Sequence, residues 1–532
     1  MGSVSAIALL LLCTAASCLG GGPSFRSFAN AFRRVFSRGG APTAATAPIA
    51  PTPLGESSIE RITRIMPRTK VTVVGGGISG LAACMRLMQY NITDFTVLEA
   101  SDAPGGRVRT DIVDGYRLDR GFQVFIDSYP EAKKLFDYDQ LDLQPFLPGA
   151  VIRADGDFHL VSDPLRRPQD IFASLNNPVG TLDDKIKVGL LSLLIRFQGY
   201  NNYVLEERGL EDGLSTGDYL SSELFGGISE SMVDKFFKPF YGGIFLNSLD
   251  KQSARMFRFV FKMFSVGQAT LPRMGMGELA VQLANKTPIG NIHYKTRATK
   301  MTVSKEGGPV TVAATTAGSA ATLEYQSDFV IVAADPVGAS RLLDESAIPA
   351  STPSPGRGST VVYFGIDGPP PLKKPILVLN GEEEVAGAVV EGTRVNNVCF
   401  PSQVSPAYAP EGRSLCSATV LGCVDTSALS DDALQASVRA QLSGWFGAAA
   451  DVYKWTFLRA YRIPYAQPEQ SEPYRYIKES RVCERVFICG DHTNTATLNG
   501  AISSGTKAAD AIAAVINGAV GVASLRQVVA AK

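Results

Sequence analysis

The chain of 532 residues predicts an α/β fold, a Rossmann-like dinucleotide-binding domain with an inserted mixed α+β domain. Three observations predict it. The β-branched run Lys70-Val71-Thr72-Val73-Val74 passes into Gly75-Gly76-Gly77-Ile78-Ser79-Gly80, then into an apolar helical stretch from Leu81 to Tyr90 and a second strand, Phe95 to Leu98, ending on Glu99. Far along the chain, Asp328-Phe329-Val330-Ile331-Val332-Ala333-Ala334 is a continuous apolar strand of the kind found in a sheet buried on both faces. The length exceeds one simple core, since roughly 100–200 residues per domain gives about two to four domains.

Composition is that of an ordinary globular protein, and the formal net charge of zero hides an asymmetry. Eight Lys and Arg up to Lys70 face only Glu56 and Glu60, so the rest of the chain is mildly acidic. An acidic body argues against nucleic acid as the main partner. Cys13 and Cys18 lie in an apolar N-terminal segment. The other six, Cys84, Cys399, Cys416, Cys423, Cys483 and Cys489, form no close-spaced framework and read as buried free thiols of a reducing compartment. With only three histidines, no metal site is expected.

The first residues read as an address. Ile7 to Leu12 has the length of a signal-peptide core and is too short to span a bilayer, although no Lys or Arg precedes it. Gly21 to Gly55 has four Arg, many Ser, Thr, Ala and Pro, and no Asp or Glu, the composition of an organelle transit peptide. A signal peptide followed by such a segment, with Phe25 near the junction, resembles the bipartite leaders of algae with secondary plastids. Plastid delivery is the expectation and the secretory pathway its alternative. No later stretch is long and apolar enough for a transmembrane helix.

The glycine turn carries the binding chemistry. In Gly75-x-Gly77-x-x-Gly80 the first glycine allows the tight turn, the second lets backbone approach a pyrophosphate, and the third lets helix and strand pack closely. The helix N-terminus at Ile78 and Ser79 then offers free N–H groups and a positive dipole end. Glu99 stands where a carboxylate accepts hydrogen bonds from ribose hydroxyls and repels a 2′-phosphate. That disfavours NADP and leaves FAD and NAD open.

Two further segments separate those cofactors by resemblance. Gly105-Gly106-Arg107 resembles the second FAD-contact motif of the flavin-containing amine oxidase superfamily, which includes phytoene desaturases, carotenoid isomerases and protoporphyrinogen oxidases. Near the far end, the strand Arg485 to Cys489 meets Gly490-Asp491-His492, and Asn499-Gly500-Ala501 opens a helix through Ser504 and Gly505. This resembles the motif that closes the FAD site in the same superfamily. The resemblance implies a non-covalent FAD, since no Cys lies between Asn494 and Leu498. It implies that Arg107 pairs with phosphate, that Asp491 bonds the ribityl or diphosphate region, and that the helix opening near Gly500 and Ala501 aims its positive end at the flavin. His492 reads as structural rather than as a cofactor contact.

Between these motifs, Arg120-Gly121-Phe122 resembles the segment that passes the flavin ring, with Gly121 and Phe122 against it. Asp183 opens an amphipathic, basic-flanked helix through Ile195, a pattern that suits core packing and also a peripheral membrane contact. Lys238 to Leu246 follows, and the Phe-rich Met256 to Phe264 after it suits either a core or an apolar substrate tunnel. Pro272-Arg273-Met274-Gly275-Met276-Gly277 resembles the turn that returns the chain to the FAD domain. Strand-like runs follow at Asn291 to Tyr294, Ala298 to Val303, Pro309 to Ala313, Thr360 to Ile366, Ile376 to Leu379 and Leu415 to Leu421, with a Pro/Ser/Gly turn region from Ser351 to Gly358. Ser430 reads as a helix N-cap.

The resulting organisation is a leader over 1–66, FAD-binding segments of the GR2 type over 67–150, 286–336 and 466–518, and substrate-domain segments over 151–285, mainly helical, and 337–465. A tail over 519–532 is unassigned. The implied activity is that of an FAD-dependent oxidoreductase moving hydride from a substrate carbon to flavin N5, with oxygen or a quinone as electron acceptor. The residues implied beside the flavin are Tyr461 and Tyr465. A plastid address and an apolar substrate region point to a small apolar substrate, a carotenoid or isoprenoid whose polyene bonds are desaturated or isomerised. The alternatives are protoporphyrinogen oxidation, amine or polyamine oxidation, and a pigment-binding scaffold without turnover. A reporter fused to residues 1–66 should enter isolated plastids, and its secretion would overturn the plastid address.

Overall fold

The structure, a computed structural model, describes residues 69–530 except 164–165, 198–212, 223–226, 305–307, 345–354, 383–389, 426–427 and 475, with side chains up to residue 518. The leader, and the first half of the turn region from Ser351 to Gly358, lie outside the described residues.

Two sheets organise the chain. Its main elements are β1 (Val71–Val74), α1 (Ile78–Gln89), β2 (Phe95–Leu98), β3 (Gly149–Ala154), β4 (Asp157–Ser162), α2 (Leu182–Phe197), α3 (Lys238–Phe245), α4 (Ala254–Val266) and α5 (Glu278–Lys286). There follow β5 (Ile292–His293), β6 (Phe329–Val332), β7 (Gly356–Asp367), β8 (Leu377–Asn380), β9 (Val395–Cys399), β10 (Arg413–Leu421), α6 (Asp431–Phe446), β11 (Thr456–Pro468), β12 (Val486–Ile488) and α7 (Leu498–Ala530).

The first sheet has the order β5-β2-β1-β6-β12 and is parallel throughout. A parallel sheet needs cover on both faces. Val71 and Val73 pack into the core that holds α1 and α7. Val74, Val330 and Val332 pack instead against a three-stranded antiparallel layer made by Thr296–Val303, Val310–Thr316 and Thr322–Ser327. Two glycines permit the helix packing. A Cβ on Gly80 would lie 2.1 Å from the Gly75 carbonyl oxygen, and one on Gly505 would lie 2.0 Å from the Ser79 carbonyl oxygen. The last helix therefore crosses the first at near backbone contact.

The second sheet, β11-β7-β10-β9-β8-β3-β4, is antiparallel except between β8 and β3. One face carries α6, whose Leu434, Val438 and Leu442 pack on Val362, Phe364 and Trp455. Ser430 caps that helix, accepting from the Ala433 N–H. The opposite face carries Val361, Tyr363 and Leu379 into the core shared with the first sheet.

The strand-like runs after residue 290 form strands. Segment 151–285, expected to be mainly helical, differs at its start. It opens on the β3–β4 hairpin, whose side chains fill the edge of the second sheet. Trp455 to Tyr465 shows no clean alternation of the kind that marks a strand. The ladder of β11 to β7 holds it extended nonetheless. α2 lies against α4 with Leu191 and Ile195 buried. Its Lys185 donates to the Leu175 and Asn177 carbonyls, and Lys187 pairs with Asp183, so both lysines serve contacts within the chain. No described helix is long and apolar enough to cross a membrane. The six described cysteines are free thiols, Cys423 and Cys483 being half-buried and the other four buried.

Candidate cofactor and substrate cavity

One cavity of about 850 Å³ runs from the glycine turn after β1 to the face of the second sheet. Of the residues read from the sequence, Gly75, Gly77, Ile78, Ser79, Glu99, Gly105, Gly106, Arg107, Gly121, Phe122, Tyr465, Gly490, Asp491 and Ala501 all line it. Four do not. Gly80 serves the helix–strand approach. Asn499 accepts from the Glu131 N–H and so ties α7 to the helix at Pro130. Gly500 lies where a Cβ would meet the Thr495 carbonyl oxygen at 2.0 Å. Tyr461 donates to Asp111 at 2.7 Å and sets its ring edge against Tyr363, away from the cavity.

The separation of Tyr461 from Tyr465 has a backbone cause. Along the β7–β11 ladder, Ser359 faces Ile463 but Arg357 faces Gln467, so two residues are inserted on the β11 side. A bulge of this kind bends a strand and re-aims its side chains. Ile463 to Gln467 are thereby carried to the cavity wall.

The first-sheet end of the cavity is built for a dinucleotide. Glu99 is 8% exposed; one oxygen accepts from Gly76 N–H at 2.7 Å and the other from Ser101 N–H and Oγ. The oxygen bonded to Gly76 accepts only that one bond and keeps a lone pair for a ligand. At Gly77 a Cβ would meet only the Gly105 carbonyl oxygen, at 3.9 Å, so the protein leaves that spot open. The opening of α7 contributes Thr497, Leu498 and Ala501 to the wall, and Thr497 Oγ1 accepts from the Gly500 N–H. These features fit a nucleotide diphosphate approached by backbone and by helix N-termini.

Arg107 and Asp491, expected to act separately on the cofactor, meet each other. Arg107 Nη1 donates to Asp491 Oδ2 at 2.8 Å and Nη2 donates to Oδ1 at 2.7 Å, while Nη1 also reaches the Ala466 carbonyl. The Arg107 side chain stays 36% exposed and that of Asp491 9%, so the pair borders the cavity and is not sealed from it. His492, next in sequence, does not line the cavity. It is 7% exposed, and neither ring nitrogen has a hydrogen-bond partner among the described residues. Burial pushes its imidazole down to about 4.

Behind Gly121 and Phe122, Asp119 is a buried carboxylate whose pKa burial pushes up to about 6. Thr110, Tyr408 and the Met276 N–H donate to it, and Gly277 N–H donates to Thr110 Oγ1. The Gly275–Gly277 turn is thus anchored to the strand that feeds the cavity wall.

The second-sheet end is apolar and aromatic. A π-helical turn, Val233–Phe237, precedes α3 and brings Phe236 to the wall, stacked on Phe240 at 5.6 Å, with Phe264 5.4 Å from Phe240. Met256, Ile244, Leu377 and Leu379 complete this chamber. The Phe-rich run divides, since Phe257, Phe259 and Phe261 are core while Met256 and Phe264 line the cavity. Phe236, Gln123, Asn397 and Thr419 also line it and were not singled out from the sequence. Strand pairing places Asn397 and Thr419, a helical defect places Phe236, and the Arg107 and Arg120 carbonyls hold Gln123; none of these has a local signature.

One family profile matches most of the chain. The profile of the family described as Flavin containing amine oxidoreductase matches residues 78–513. A coproporphyrinogen III oxidase of Bacillus subtilis (strain 168) is 26% identical over 188 residues, 34% of this chain and 38% of that protein. Protoporphyrinogen oxidase 2, chloroplastic/mitochondrial, of Arabidopsis thaliana is 37% identical over 68 residues, 13% of each chain. The matches therefore span well under half the length of these relatives. A crystal structure of a provisionally named protoporphyrinogen oxidase from Exiguobacterium sp. 255-15 superposes with a TM-score of 0.60 at 18% identity, over 84% of this chain and 99% of that one.

His492 makes stability acid-sensitive. Between pH 6.5 and 4 the native state binds fewer protons at this ring than the unfolded chain does, so stability falls as pH falls through that window, by about 3 kcal/mol in all. Asp119, raised, acts in the opposite sense below pH 6. The fall in Tm between pH 7 and pH 5 should be shallower in His492→Phe than in the native chain, and an equal fall would exclude His492 as the sensitive group. From Ile78 at the start of α1 to the motif at Gly490, matched residues line the cavity, and the chain is a flavin enzyme belonging to the Flavin containing amine oxidoreductase family.

Proposed function

We propose that the chain is an FAD-dependent oxidase of a porphyrinogen, a reduced tetrapyrrole, in preference to the carotenoid expected from the apolar substrate region. The observation that carries this reading is the composition of the cavity. Its acidic lining residues, Glu99, Asp335 and Asp491, all belong to the first-sheet end, and the substrate chamber has none. An ammonium substrate entering an apolar chamber needs a carboxylate partner, so an amine is disfavoured. Broad aromatic and aliphatic walls suit a large macrocycle with apolar faces. Arg166 and Gln268 border the chamber where it adjoins a hollow lined by Asp127 and Arg196; Arg166 is held by Asp163 and by the Gly267 and Phe264 carbonyls, so Arg196 is the cation there that would meet the carboxylates such macrocycles carry. The names of the Bacillus and Arabidopsis relatives support the tetrapyrrole over the polyene.

The glycine turn at Gly75–Gly80 and the Gly105-Gly106 backbone would hold the diphosphate, and Glu99 the ribose. Gly121, Phe122 and the opening of α7 would face the ring system. When bound there, FAD supplies a two-electron acceptor that oxygen or a quinone reoxidises. The chain's own work is to orient the substrate carbon, exclude water with the Phe236, Phe240 and Phe264 wall, and present oriented N–H dipoles.

Two experiments test this. The purified yellow protein, offered coproporphyrinogen III, protoporphyrinogen IX, a carotenoid panel and polyamines, should produce porphyrin fluorescence. Turnover confined to polyenes or amines would overturn the reading. Gly77→Val should fold normally, because φ at this position is −75° and the added carbon meets no close protein atom. The variant should have lost its flavin absorbance, and retention of flavin would remove the glycine turn from the site.

A further inference from the structure

We propose that Asn397 is the residue that hydrogen-bonds the substrate inside the apolar chamber, taking a pyrrole-type N–H on its Oδ1, and that Asn396 and Thr419 position it. This rests on the porphyrinogen reading above and specifies how the chamber recognises that substrate class.

The row of side chains crossing the second sheet at this level reads Val361, Thr419, Asn397, Leu379. Two apolar residues flank two polar ones, and Asn397, Thr419 and Leu379 all line the cavity. Asn397 and Thr419 are each 3% exposed. Polar groups placed in an otherwise apolar wall carry a desolvation cost unless they are used.

The register explains their direction. The β9–β10 ladder pairs Val395 with Val420 and Asn397 with Thr419, leaving Asn396 as a bulged residue. Bulges re-aim side chains and recur beside active sites. Here the bulge turns Asn396 towards α3, where its Nδ2 donates to the Pro239 carbonyl at 3.0 Å and to Asn397 Oδ1 at 3.1 Å. Gly243 of α3 makes room, since a Cβ there would lie 2.7 Å from that same nitrogen.

The chain of bonds defines which way each amide faces. The Pro239 carbonyl only accepts, so Asn396 must present nitrogen to it. Asn397 must then present oxygen to Asn396, which leaves its Nδ2 donating to Thr419 Oγ1 at 3.2 Å. One lone pair of Asn397 Oδ1, one of its N–H groups and the Thr419 hydroxyl hydrogen remain without a protein partner among the described residues. One free acceptor and two free donors in a dry wall favour a substrate with hydrogen-bonding groups over a hydrocarbon polyene, and the acceptor matches the pyrrole N–H groups of a porphyrinogen.

The test compares Asn397→Leu, Thr419→Val and Thr419→Ser as flavin-loaded proteins. The readouts are KM and kcat for whichever porphyrinogen the wild type oxidises, fluorescence titration with the matching porphyrin, and the flavin spectrum with Tm as a check on folding. Asn397→Leu should raise KM and weaken porphyrin binding by about 3- to 10-fold or more, with kcat changed less and the flavin spectrum retained. Thr419→Val should show a smaller shift in the same direction, and Thr419→Ser should stay close to wild type. A folded Asn397→Leu with unchanged KM and porphyrin affinity would overturn the proposal. If Asn397→Leu does not fold, equal behaviour of Thr419→Val and wild type would overturn it. If the wild type oxidises no porphyrinogen, the functional reading itself falls, and that result is read before any variant is made.

Discussion

The ion pair between Arg107 and Asp491 joins segments 384 residues apart in the chain. Arg107 follows the second strand of the βαβ unit and Asp491 follows the last strand of the same sheet. The Ala466 carbonyl adds the end of β11 to the joint. A bidentate guanidinium–carboxylate pair has a narrow geometry, so this contact sets how closely β2, β12 and β11 meet. The cavity borders it on one side. Removing either partner would leave a charge beside a largely apolar cavity, a costly state.

Around that joint the two sheets divide the chemistry. The parallel sheet ends in glycine turns and helix N-termini, which present backbone N–H groups to a diphosphate. The antiparallel sheet turns one apolar face to the cavity and covers the other with α6. A chain that leaves and re-enters the first sheet can vary its second sheet without disturbing the cofactor end. Asp119 links the two halves, since it receives Tyr408 and Met276 N–H while its own backbone carbonyl accepts from Tyr363.

Much of the cofactor end was legible because its determinants are local. A glycine at Gly75, where φ is +112°, has to be glycine, and that necessity is visible in a string of letters. The same holds for a carboxylate at the end of a strand and for Ser430 as an N-cap. The reading of Tyr461 failed because a bulge in β11 changes which residues face inward, and a bulge depends on the partner strand. Asn499 and Gly500 lie outside the cavity wall: Asn499 ties α7 to the helix at Pro130 and Gly500 sits on the Thr495 carbonyl, because which groups a helix start meets depends on how that helix packs. Arg107 and Asp491 were each assigned to the ligand, whereas only the folded chain shows them facing each other.

The sequence by itself determined the parallel α/β core, the nucleotide-binding turn and the family, because backbone conformation and close helix–strand packing select residue types position by position. The tertiary structure alone decided the chamber. Its wall is assembled from a π-helical turn, two bulged ladders and the facing row Val361, Thr419, Asn397 and Leu379. Each of these depends on register between segments far apart in the chain. No single stretch of sequence encodes that register, because the free energy that selects it is shared among all the strands that pair.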